Sequence, residues 1–164
     1  YDVYENDACR EVLDYVTLDE LLAQSDIVSL HVPYFPGQND KMANAEFFSK
    51  MKDGSIFLNT ARGELQDNEA ILAALKSGKL DGYGTDVFAN ETSFFFKKLA
   101  SAAEISDPTV RELVQMYPKV LVTPHIGSNT DEALANMIEY SMDNFNEILT
   151  TGTTKNLVAL PEAK

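Results

Sequence analysis

Residues 54–65 read GSIFLNTARGEL. The short run 55–58, bounded by turn residues, has the character of a strand buried on both faces. It stops at Asn59-Thr60-Ala61-Arg62-Gly63, where a single guanidinium appears. Asp67 then caps a helix from about Asn68 to Lys76, and Gly78 marks its end. Arg62 therefore stands where a strand hands over to a helix. In an open parallel α/β sheet, ligands bind outside the carboxyl ends of the strands. The planar fork of an arginine placed there can grip a carboxylate through two parallel hydrogen bonds. A surface arginine screening a loop is the alternative reading of the same position.

Outward from this stretch the chain alternates. Residues 1–4, Tyr-Asp-Val-Tyr, and residues 13–16 have short strand patterns. Thr17 and Glu20 form a capping box for a helix to about Gln24. Residues 26–32, DIVSLHV, make an apolar strand ended by Pro33, and 34–41 form a loop. Asn44 caps a helix over 45–51. Residues 81–88 and 119–123 read as further strands. Asp107 followed by Pro108 opens a helix to about Met116. Residues 131–150 form the longest helix, with a stripe of Leu134, Met137, Ile138, Phe145, Ile148 and Leu149 expected to be buried. The aromatic run Phe94-Phe95-Phe96 lies in an irregular segment and reads as packing. Strands alternating with helices predict an α/β fold with a parallel, doubly wound sheet and helices on both faces.

Composition narrows the partners. Among 164 residues, 13 basic side chains stand against 26 acidic, a formal charge of −13. A chain that acidic repels nucleic acid and anionic membrane surfaces, so neither is expected as a partner. There is no run of eighteen apolar residues and no signal peptide, which predicts a cytoplasmic protein. The single cysteine excludes an internal disulfide. Neither histidine has a ligand-spaced partner, so no metal site is expected.

The polar groups at the expected strand ends are Asp2, His31, Asn59, Thr60, Arg62, Asp86, Glu91 and His125. Such ends converge on one crevice, where an arginine, two acids and a histidine suit proton transfer to a carbonyl beside a carboxylate. The arginine would hold the carboxylate, a histidine would trade a proton with the oxygen, and an acid would stabilise the imidazolium. Spacing alone leaves His31 and His125 as equal candidates.

The segments LHVP (30–33), NTARGEL (59–65), GYGTDVF (82–88) and TPHIGSNTDEA (123–133) resemble the NAD-dependent D-2-hydroxyacid dehydrogenases, the D-lactate branch most of all. The resemblance spans nearly the whole chain. It implies a Rossmann-type NAD-binding domain over 1–151 and a C-terminal arm over 152–164 reaching toward a substrate domain. It also implies NADH-dependent reduction of a 2-oxo acid, pyruvate as first candidate, to the D-2-hydroxy acid by a homodimeric enzyme. 2-Hydroxyisocaproate and 3-phosphoglycerate types are alternatives, as is a non-catalytic NAD-sensing corepressor relative. By resemblance, Arg62 binds the substrate carboxylate, His125 is the proton donor and Glu91 its carboxylate partner. Asp86 faces the nicotinamide, and Val32, Pro33, Asn39, Thr60, Ala61 and Arg62 line the cofactor. Asp2 would hold the adenine ribose hydroxyls, which favours NAD over its 2′-phosphorylated form.

The family's glycine fingerprint, expected about 20 residues before Asp2, is not in this sequence, and the fold is expected to lack its first strand and glycine loop. Residues 1–4 and 26–32 would then stand roughly 9–10 Å apart, two strand spacings, with an open slot between them. The chain alone is expected to bind NAD weakly and to catalyse nothing.

Overall fold

The computed structural model describes residues 1–158. The chain divides into two compact units, Tyr1–His125 and Ile126–Lys164.

The first unit is built on one parallel sheet of four strands: β1 (Ile27–Leu30), β2 (Ser55–Asn59), β3 (Leu80–Thr85) and β4 (Val120–Val122). They lie in sequence order across the sheet. Parallel neighbours need long crossovers, and the sequence supplies helices for them. Leu18–Gln24 (α2) precedes β1, and a four-residue helix, Asp7–Arg10 (α1), precedes α2. Ala45–Lys50 (α3) links β1 to β2, Asn68–Ser77 (α4) links β2 to β3, and Pro108–Gln115 (α5) links β3 to β4. The caps are those the sequence announces. Thr17 and Glu20 close a capping box on α2, Asn44 accepts from Phe47, and Asp67 accepts from Glu69 and Ala70. Asp107 caps α5 with Pro108 behind it. Gly78 ends α4 in the left-handed conformation at φ 80°.

Right-handed crossovers that always step the same way put their helices on one face of the sheet. The register makes this visible. Val28, Phe57, Tyr83 and Val120 pair in one row and are all buried. The Phe47 and Phe48 rings of α3 meet Phe57 edge-on at 5.9 and 5.1 Å, and Tyr83 stacks on it at 5.9 Å. Each such ring contributes about 1.5–3 kcal/mol by leaving water. The opposite row carries Ile27 and Ile56, exposed at 57% and 36%. The architecture is thus one winding of a Rossmann-type α/β sheet.

Three expectations change. Residues 1–4 form no strand, because Asp2 Oδ1 accepts the Tyr4 amide at 2.9 Å and bends the chain locally. Residues 13–16 form none either. With no strand at 1–4, the predicted slot does not exist, and β1 is an edge of the sheet. A strand pattern becomes a strand only where a neighbour completes its ladder.

The second unit is described by itself. Its helix, Asp131–Thr151 (α6), is capped by Thr130 and ended by Gly152. None of its residues is buried, so the predicted stripe is exposed, from Ile148 at 40% to Leu149 at 83%. Helical spacing identifies an apolar face but not what covers it. The segment after α6 turns back on it: Thr154, buried, donates to Glu147 Oε2 at 2.5 Å, and Asn156 donates to Asn144 at 2.8 Å. The first part of the expected arm is thus tied to α6 through Thr154 and Asn156, and its residues 159–164 lie outside the described residues. Among the described residues no helix is long and apolar enough to cross a membrane. No group of three or more His, Cys, Asp or Glu in them could hold a metal ion.

Candidate active site

The carboxyl ends of β1 and β2 open into a cavity of about 550 Å³ lined by residues 31–34 and 60–62. Val32, Pro33 and Ala61 supply apolar wall, and Thr60 and His31 polar groups. The loops that follow β1 and β2 are joined through their backbones. Lys41 N–H donates to Glu64 O at 2.8 Å, Ala43 N–H to Leu65 O at 2.9 Å, and Asp67 N–H to Ala43 O at 3.0 Å. The loop after β1 is braced internally by Tyr34, whose hydroxyl donates to Asp40 Oδ1 at 2.5 Å, and by the Gly37 amide on the other oxygen.

The Tyr34 hydroxyl holds the Asp40 carboxyl below the usual carboxylate range, and Asp40 in turn raises the Tyr34 phenol. A group depressed in the folded state contributes stability above its unfolded value and loses it as pH falls through the folded value. A raised phenol contributes below its ordinary value and loses that at high pH. Tyr34→Phe is therefore expected to lower stability at neutral pH and to cost nothing once Asp40 is protonated in acid. Urea midpoints across pH check this, and a cost that is the same at every pH would show that the pair does not brace the loop.

A second cavity of about 310 Å³ shares Arg62 with the first and adds Gly63, Glu64, Val87, Phe88, Asn90, Glu91, Thr92 and His125. Gly63 is pressed against the Phe88–Ala89 backbone, so two loops from neighbouring strands touch here. Phe88 is buried against Phe94 and Phe95 at 5.6 and 6.1 Å, making the aromatic run the base of this loop. Phe95 N–H donates to Glu91 O at 2.7 Å. The Glu91 carboxylate faces two ways: Oε2 accepts the Phe88 amide at 3.0 Å and Oε1 meets His125 Nδ1 at 2.5 Å. Spending Nδ1 on Glu91 leaves Nε2 as the ring position for another proton partner. His125 sits at φ 52°, a left-handed conformation that costs a non-glycine residue ~1–3 kcal/mol and concentrates at functional sites. Arg62 forms no salt bridge among the described residues; Nη1 rests on Ala61 O at 2.7 Å.

Arg62, Glu91 and His125 thus line one cavity, while His31 lines the other and pairs with Ser29 Oγ at 2.9 Å. Val32, Pro33, Thr60 and Ala61 line the larger cavity. Asp2, Asn39 and Asp86 are not among the residues lining either. The Asn39 side chain is engaged within its own loop, accepting from Phe35 N–H and donating to Pro33 O. Asp86 is buried and accepts from the Thr123 hydroxyl at 2.5 Å. Sequence reading gave no role to Thr123 or Glu64; a threonine ending β4 opposite a strand-end acid was the available signal for the first.

The larger cavity offers an apolar wall and polar groups at its rim. No glycine-rich phosphate loop is present in the sequence.

Residues 1–127 match the family of the D-isomer specific 2-hydroxyacid dehydrogenase, NAD binding domain. The chain is 39% identical over 156 residues to an aromatic 2-oxoacid reductase of Clostridium sporogenes, covering 95% of this chain and 46% of that protein. It is 43% identical over 153 residues to a D-lactate dehydrogenase of Lactiplantibacillus plantarum, covering 93% and 45%. Among solved structures, the NAD-complexed D-isomer specific 2-hydroxyacid dehydrogenase of Lactobacillus delbrueckii ssp. bulgaricus superposes with a TM-score of 0.88 at 34% identity. That match covers 96% of this chain and 47% of the other. The chain thus spans about half the length of the relatives it matches. A matched NAD-binding domain, a parallel sheet with its cavities at the carboxyl ends of the strands, and an Arg, Glu and His on one wall together place this chain among the D-isomer specific 2-hydroxyacid dehydrogenases.

Proposed function

We propose that the full-length protein carrying this sequence reduces a 2-oxo acid to the D-2-hydroxy acid with NADH, and that the smaller cavity holds the acid. The observation that carries the reading is a guanidinium with no ion pair among the described residues and a carboxylate-paired histidine on one wall. Arg62 binds the substrate carboxylate and turns the 2-oxo group toward His125. His125 donates its proton from Nε2 to the carbonyl oxygen, and Glu91, fixed by the Phe88 amide, orients the ring and stabilises the imidazolium. NADH, when bound, supplies the hydride. Val32, Pro33, Thr60 and Ala61 would hold its nicotinamide-ribose end in the larger cavity, and the reverse reaction uses His125 as base.

Substrate choice follows from the rest of the wall. Val87 and Phe88 favour an uncharged, apolar side chain, while Glu64 and Glu91 disfavour a second anion such as a phosphate. Pyruvate, branched and aromatic 2-oxo acids are therefore better candidates than phosphohydroxypyruvate. Rates of NADH oxidation with pyruvate, 2-oxoisocaproate, phenylpyruvate and phosphohydroxypyruvate test the order, and a preference for the phosphorylated acid overturns it.

Arg62→Lys tests the carboxylate contact. Lysine keeps the charge but cannot make two parallel bonds. The expected loss is ~1.5–3 kcal/mol of transition-state binding, the scale of a charged hydrogen bond. An unchanged kcat/KM would remove Arg62 from the substrate site.

A further inference from the structure

The side chain of Asn59, at the end of β2, is entirely enclosed. Its Oδ1 accepts the Ala61 amide at 3.0 Å. Its Nδ2 donates to Arg62 O at 2.9 Å and to Gln66 Oε1 at 2.8 Å. Gln66, also buried, donates onward to Asn68 Oδ1 at 3.0 Å. Two of these three bonds secure the backbone on both sides of the Ala61–Arg62 peptide, and the third holds the carboxamide itself against Gln66. The main-chain carbonyl of Asn59 works in the other direction, accepting Asp86 N–H at 3.1 Å and the Thr85 hydroxyl at 3.1 Å. One residue therefore ties the loop of Arg62 to the end of β3, from which the chain continues to Glu91.

A buried amide with its donors and acceptor engaged is a rigid joint, because every alternative position leaves a polar group unpaired. The guanidinium itself is exposed and rests only on Ala61 O. The placement of Arg62 over the smaller cavity thus depends on where its backbone is held. We propose that Asn59 is a positioning residue for the reaction, acting through Arg62, with Gln66 as its support. This rests on the reading of Arg62 as the carboxylate ligand.

The test is a double-mutant cycle in the full-length protein, with pyruvate and NADH as probes. Asn59→Asp keeps the shape and the acceptor for Ala61, but loses both donated bonds. It is expected to lower kcat/KM for pyruvate by about 10- to 100-fold, the worth of two hydrogen bonds, with the loss mainly in KM for the acid. The KM for NADH should stay within about twofold, and in an Arg62→Lys background the further loss should shrink to about threefold or less. Gln66→Met, which keeps length and removes only the support, should give the same pattern more weakly, and it carries the cycle if Asn59→Asp does not fold. Losses that multiply independently of Arg62, or a matching rise in the KM for NADH, overturn the proposal alone. An Arg62→Lys protein as active as its parent overturns the carboxylate reading and the proposal with it.

Discussion

Gly63→Ala is expected to destabilise the protein by at least ~3 kcal/mol, at the upper end of overpacking costs. A Cβ built on Gly63 would lie 2.0 Å from Ala89 N and from Phe88 C, and 2.5 Å from Phe88 Cα. These are backbone atoms, so no side chain can rotate aside to make room. Phe88 cannot retreat either, because its ring is buried against Phe94 and Phe95. The only relief is to part the two loops, which separates Arg62 from Glu91 and His125. Stability and the proposed activity should therefore fall together. Urea denaturation should show a lower midpoint with an unchanged slope. A variant within ~1 kcal/mol of its parent, inside the range of ordinary surface changes, would mean the loops are not in contact.

His125→Asn is expected to lower kcat for 2-oxo acid reduction by about 10²- to 10⁴-fold, the usual worth of a positioned proton donor. Asparagine is the chosen replacement because the backbone at 125 is left-handed at φ 52°. Asn tolerates that region better than most residues, so the loss reports lost chemistry instead of added strain. Affinity for NADH should hold, since His125 does not line the larger cavity. A kcat within about threefold of the parent, far below the contribution of general acid catalysis, would turn attention to His31, the other histidine beside Arg62.

Local signals carried much of the fold. The caps at Thr17, Asn44, Asp67 and Asp107 bond the first free amides of their helices, as such side chains do. Apolar runs at 26–32, 55–58, 81–88 and 119–123 each overlap an observed strand, with ends within three residues. Residues 1–4 and 13–16 carried a similar pattern and formed no strand, since a ladder needs a neighbour that local pattern cannot provide.

By itself the sequence determined the alternation of strands and helices, and with it the placing of Arg62 where a strand ends. Those depend on contacts between residues a few positions apart, and such contacts are written in spacing and residue type. Spacing left His31 and His125 equal and only the family resemblance named His125; what brings it to a carboxylate is tertiary, because Glu91 and His125 are 34 residues apart and their 2.5 Å contact depends on β3 and β4 being neighbours. The tertiary structure also decided that the Asn39 side chain is engaged within its own loop, and that the α6 stripe is exposed. Each of these outcomes turns on what packs beside a residue, and periodicity along one chain does not name that neighbour.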